Sequence, residues 1–187
     1  AKQVVFLISD TGGGPRASAN AWADALRLLH GDSVCCHLVD VLAGYGTWPL
    51  NHAPDYYQPL VDRKPWLWRG LWSVCEHDAL WHAVERVARV WQANGLRRFA
   101  GDWPADLYVS VHPLLNHVPR RALSRSRPHA RFATVVTDLA SAARIWYDPG
   151  VDLLSASCPA VQREALSAGV PPERVHLFGL PIRLQFS

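Results

Sequence analysis

The feature that most constrains this chain is a strand, a glycine turn and a helix written one after another near its start. Val4-Val5-Phe6-Leu7-Ile8 is followed by Ser9-Asp10-Thr11-Gly12-Gly13-Gly14 and then by Pro15-Arg16-Ala17-Ser18-Ala19. A continuous apolar run of this length reads as a strand buried on both faces, the habit of parallel sheets. Glycine has no Cβ, so the amides of Gly12, Gly13 and Gly14 can approach a ligand closely, and the helix that follows aims its positive end at the same place. The combination predicts an anion cradle at the end of the first strand. Pro15 suits the first helical turn, where its missing N–H has no partner to lose.

Residue chemistry alone leaves that cradle open to more than one use. Gly12-x-Gly14-x-x-Ala17 fits a loose dinucleotide fingerprint, and Asp40 ends the next apolar run about where an acid would hold a ribose. Asp10 argues against a pyrophosphate there, because a carboxylate beside the cradle repels one. A tight turn with no ligand is the third possibility.

Composition narrows the class. The chain has 187 residues, is 49% apolar and carries a net charge of +3, enough for one full core and too mild to predict a nucleic-acid partner. No run approaches the ~18 apolar residues of a spanning helix. No leading apolar segment resembles a signal peptide, so a cytoplasmic setting is expected. The cysteines at 35, 36, 75 and 158 form no C-x-x-C pair, and neither a metal site nor a cofactor is expected.

Further along, Ala17, Ala21, Ala25, Leu28 and Leu29 keep helical spacing, and Val34 to Val39 reads as a second strand, completing a βαβ unit. Residues 43 to 76 break the rhythm with Trp48, Tyr56, Tyr57, Trp66, Trp68 and Trp72 among prolines and cations. Such a mixture suits the headgroup depth of a bilayer, so Trp66, Trp68 and Trp72 are candidate membrane contacts on a flap; an aromatic subcore is the competing possibility. Leu80, Val84, Val87, Ala88 and Trp91 predict a helix from Asp78 to Gln92, with Glu85 and Arg89 as an i,i+4 pair and Asn94-Gly95 as its stop. Leu107 to Val111 predicts a strand that delivers His112 at its carboxyl end. Arg131 to Thr137 predicts another, ending at Thr137-Asp138, and a short helix between them is expected to carry Arg120, Arg121, Arg125 and Arg127 on its wet face. Two further strands, at 152 to 157 and 175 to 178, flank a helix that starts at Pro159. The alternation predicts a doubly wound, Rossmann-like parallel sheet with Asp10, His112 and Asp138 at strand ends, where ligands gather.

Several of these stretches together resemble the monogalactosyldiacylglycerol synthase family. Ser9 to Ala19 is similar to that family's S-D-T-G-G-G-H-R-A-S-A opening, departing only at Pro15, where the family has histidine. Val109-Ser110-Val111-His112-Pro113-Leu114 with His117-Val118-Pro119 resembles S-V-H-P-L-x-x-H-x-P. Thr134 to Leu139 resembles T-V-x-T-D-L, and Cys158-Pro159 and Phe178 to Arg183 complete the series in order. The resemblance implies the amino-terminal half of a GT-B glycosyltransferase. Residues 1 to 183 would form the acceptor-binding domain, with the insertion at 43 to 76, and residues 184 to 187 would begin a linker to a donor-binding domain. It implies transfer of a hexosyl group from UDP-galactose or UDP-glucose to diacylglycerol with inversion, by a peripheral membrane protein attracted to anionic lipid. For the base that such a transfer needs, His112 is expected as base or substrate positioner, with Asp10 as its partner or as the base itself. Gly12, Gly13, Gly14, Arg16, Thr137 and Asp138 are the substrate-binding candidates. A catalytically silent lipid-binding module that lost the histidine is the alternative from another class, and a dinucleotide-binding oxidoreductase a second.

Overall fold

The computed structural model describes residues 1–11, 13–76, 78–140 and 142–183, with the backbone alone at 71, 72, 74–76, 78 and 79. Gly12 and residues 184 to 187 lie outside the described residues. In chain order the elements are β1 (Lys2–Ile8), α1 (Gly13–His30), β2 (Val34–Asp40), α2 (Val41–Tyr45), α3 (Ala53–Arg63), α4 (Pro65–Glu76), α5 (Asp78–Trp91), α6 (Ala93–Asp102), β3 (Leu107–Ser110), α7 (His117–Ser126), β4 (Arg131–Val135), β5 (Leu153–Ala156), α8 (Pro159–Ser167) and β6 (Val175–Leu177). A short 3-10 turn at Pro113–Leu115 links β3 to α7, and another at Arg144–Trp146 precedes β5.

All six strands are parallel, in the order β2-β1-β3-β4-β5-β6. The chain therefore leaves β1 toward β2 on one side and returns to β3 on the other. The turns after β1 and β3 diverge at this reversal, and a crevice opens between them at the carboxyl edge. β1 is an unbroken apolar run because it lies in the middle of the sheet, with Phe6, Leu7 and Ile8 fully buried.

The two sheet faces are covered unequally. One face carries Val5, Leu7, Tyr108 and Leu154 and is packed by Leu42, Leu96, Phe99, Leu123 and Val161 from α2, α6, α7 and α8. The other face carries Val4, Phe6, Ile8, Val109 and Val135, and its buried helical residues are Ala19 and Ala23 of α1. Beside α1 a groove of about 450 Å³ runs over β3 to β5, bounded by Trp22, Leu26, Arg131 and Arg174.

Three expectations give way here. Asn94-Gly95 does not stop α5; it lies in the first turn of α6, a helix the apolar spacing did not announce. Gly95 answers a close approach instead, since a Cβ there would stand 1.8 Å from the Tyr45 carbonyl oxygen. The insertion at 43 to 76 is mostly helical, with Pro54 and Pro65 in first turns, where proline costs no hydrogen bond. Finally, Arg120 and Arg121 do not lie on a wet face of α7. Arg120 donates from Nε to the buried Asp148 at 2.5 Å, Arg121 pairs with the buried Glu85, and Arg127 donates to the Ala100 carbonyl. The Glu85–Arg89 pair expected along α5 is thus replaced by a bridge from α5 to α7.

Candidate active site

Three strand ends build the site. After β1, Asp10 and Thr11 form the turn that enters α1 at Gly13. Asp40, the last residue of β2, fixes this turn: Oδ2 accepts the Asp10 N–H at 3.0 Å, while Oδ1 accepts the Ala43 N–H at 2.8 Å and caps α2. Each Asp40 oxygen thus accepts a backbone amide, which gives this carboxylate a structural task in the turn.

His112 stands just beyond β3, buried, facing the β1 turn. Its Nε2 lies 3.0 Å from Thr11 Oγ1, and its Nδ1 accepts the Leu114 N–H at 3.3 Å. An imidazole nitrogen that accepts a hydrogen bond carries no proton, so the neutral ring holds its proton on Nε2 and donates it to Thr11. Burial lowers the pKa of His112 to about 4, which keeps the ring neutral at physiological pH.

Asp10 does not partner His112 but turns to Arg16, which donates from Nε at 2.7 Å and from Nη2 at 2.6 Å in a two-pronged bond. That bond holds the Asp10 carboxyl below the usual carboxylate range. Gly13 and Gly14 open α1 at the surface. Neither has positive φ, and a Cβ at either would meet no atom within 4 Å. Neither backbone strain nor protein packing therefore asks for glycine at these positions, whereas a ligand seated on the amides would.

Thr137 and Asp138 follow β4, next to β3 in the sheet. Trp146 Nε1 donates to Asp138 Oδ2 at 2.8 Å. Burial pushes the Asp138 carboxyl up, outweighing the indole bond that pulls it down. His117, the second histidine of the motif, faces inward instead: it packs edge-on to Trp81 with centroids 5.8 Å apart and lies 3.7 Å from Asp148. Asn116 is also structural, accepting from Thr134 Oγ1 and donating to the Pro113 carbonyl. Thr11 and Trp146 were not among the expected site residues, and Asp40 was expected only as a holder of ribose. Thr11 lies inside the glycine motif between two residues that were, whereas no periodicity marks Trp146.

Of the aromatic candidates, Trp66 is 72% exposed, Trp68 stacks edge-on against Tyr57 at 5.3 Å, and the Trp72 side chain lies outside the described residues. No helix among the described residues is long and apolar enough to cross a membrane.

The model of the family described as monogalactosyldiacylglycerol (MGDG) synthase matches residues 16–182. The chain belongs to this family. Similar members include monogalactosyldiacylglycerol synthase 3, chloroplastic, of Arabidopsis thaliana, 33% identical over 99% of this chain and 40% of the relative. The Spinacia oleracea monogalactosyldiacylglycerol synthase, chloroplastic, is 34% identical over 99% and 36%. The chain thus spans about two fifths of the length of the synthases it matches. Among solved structures, the apo lipopolysaccharide outer core galactosyltransferase WaaB superposes with a TM-score of 0.52 at 8% identity, over 95% of this chain and 45% of that one. Anabaena HepE in complex with UDP-glucose gives 0.51 at 12% identity, over 96% and 44%. The fold is Rossmann-like and shared with these GT-B glycosyltransferases, as expected, and the monogalactosyldiacylglycerol synthase motifs line its carboxyl edge.

Proposed function

We propose that the protein containing this chain transfers a hexosyl group from UDP-galactose or UDP-glucose to the free hydroxyl of diacylglycerol, with inversion, and that this domain receives the acceptor. The observation that carries the reading is the neutral His112 imidazole seated on Thr11 in the reversal crevice, beside the open amides of Gly13 and Gly14. The acceptor oxygen attacks the anomeric carbon as its bond to the diphosphate breaks, and UDP leaves with the electron pair. The amides at the head of α1 face the place where that negative charge would grow, and Arg16 can exchange Asp10 for a phosphate oxygen.

Someone must take the acceptor proton. The tautomer of His112 suits it to hold an oxygen rather than to accept a proton, and Asp10 is a weak base under its arginine. Asp138 is the carboxylate at this edge whose hold on a proton is raised, so we assign it as base, His112 as the group that positions the hydroxyl, and Thr137 as a neighbouring acceptor contact. The UDP-sugar would be held by chain outside this domain. HepE is in complex with UDP-glucose, and the synthases that this chain resembles in sequence are named for a galactolipid; both support the choice of donor and acceptor.

The test is to incubate the full-length protein with UDP-galactose or UDP-glucose and diacylglycerol vesicles. Sugar appearing on the lipid with inverted configuration is expected. Vesicle binding without transfer would favour a silent lipid-binding module, the reading that Pro15 in the histidine's place supports.

A further inference from the structure

α5 is amphipathic in the wrong sense for a helix on a water-soluble surface. Its one carboxylate below the first turn, Glu85, is 1% exposed and paired with Arg121 of α7. Its apolar line faces out: Leu80, Val84, Val87 and Val90 are 52%, 44%, 67% and 80% exposed. A helix that tucks its acid under and turns its valines out presents a surface meant for something other than water. Part of the same line, Val84, Val87 and Trp91, borders one side of an open cavity of about 460 Å³. Val41 and Leu42 of α2 and Leu114 and Val118 after β3 form the other walls.

The cavity begins where the site ends. Leu114 gives its N–H to His112, and Val41 follows Asp40, the residue that holds the Asp10 turn. A molecule that fills both must be polar at one end and aliphatic along the rest. At ~30 Å³ for a water-sized group, a volume of about 460 Å³ is of the order of one long acyl chain. We infer that this cavity takes one acyl chain of the lipid acceptor, while the outward stripe of α5 lies against the bilayer from which the chain enters. The identity of the occupant rests on the acceptor reading above; the cavity, its walls and the exposed stripe do not.

The experiment uses the full-length protein and diacylglycerol bearing a diazirine at the end of one sixteen-carbon chain, in phosphatidylcholine vesicles. After irradiation, label is expected on peptides of α2, α5 and residues 113 to 119. Label confined to other peptides would overturn the inference. Ala88, which also lines the cavity, is then replaced: Ala88→Trp fills the space. It is expected to lower transfer to dipalmitoylglycerol relative to dibutyrylglycerol by roughly tenfold, the effect of losing burial of about two methylenes. An unchanged ratio in folded Ala88→Trp would also overturn it, and if that variant does not fold, the label position on the natural protein decides. Label in these walls from a protein that transfers no sugar would defeat the transferase reading while leaving the chain site standing.

Discussion

At the scale of single residues, the site turns on which nitrogen of His112 carries the proton. The Leu114 amide assigns it to Nε2, and two consequences follow. Glutamine can present an N–H near the place of Nε2, so His112→Gln is expected to retain activity within about tenfold, whereas Asp138→Asn should lose ~10²–10⁴-fold, the range for removing a general base. Steady-state kinetics of the full-length variants would check the order, and equal losses would return the base to the histidine. Stability should follow the same ring. The unfolded chain takes up a proton as pH falls through about 6.5, while folded His112 resists until about 4. Stability is therefore present above pH 6.5 and drains away as pH falls from there to 4, by roughly 2 kcal/mol between pH 7 and 5. Burial lowers His117 as well, in the same direction. Urea midpoints at the two pH values should shift less in His112→Gln than in the natural protein. The sequence located His112 and the glycine turn, because motif residues keep their order along the chain. It was silent on the proton and on Asp10's choice of Arg16, since both depend on distances that only folding sets.

At the scale of elements, α5 and α6 show what periodicity can and cannot say. The line from Leu80 to Trp91 was legible as one helix face, but periodicity gives no sign of which way that face points. The answer comes from Glu85, which prefers a buried pair with Arg121 to a solvated pair with Arg89. Removing Arg121 leaves the buried Glu85, among the described residues, with only the exposed His82, 3.6 Å away, while removing Glu85 releases an arginine that already reaches water. Arg121→Ala is accordingly expected to destabilise by about 3–5 kcal/mol and Glu85→Ala by clearly less, measurable by urea unfolding; the reverse order would mean that the carboxylate finds solvent. Gly95 was read as a full stop, yet its role is contact. Gly95→Ala, which at an ordinary helical position would stabilise, should here cost about 1–3 kcal/mol by forcing α6 away from Tyr45.

For the molecule as a whole, the parallel sheet and its reversal point were evident from the alternation of apolar runs and glycine or proline stops. The insertion was not, because its prolines look like breakers, whereas Pro54 and Pro65 sit in the first turns of α3 and α4 and α3 carries Pro59 in its interior. Its tryptophans also divide. Trp66→Ala should weaken sedimentation with anionic vesicles and leave the melting temperature where it was, while Trp68→Ala, which strips a partner from Tyr57, should lower the melting temperature; a melting loss in Trp66→Ala would assign that ring to packing as well. Between these regions stands Asp40, with one oxygen on the turn that opens the glycine cradle and the other on the first turn of α2. A single rigid carboxylate is thus pinned at both ends, like the pin of a hinge. A displacement of α2 would therefore reach the turn that leads into α1 through this one side chain.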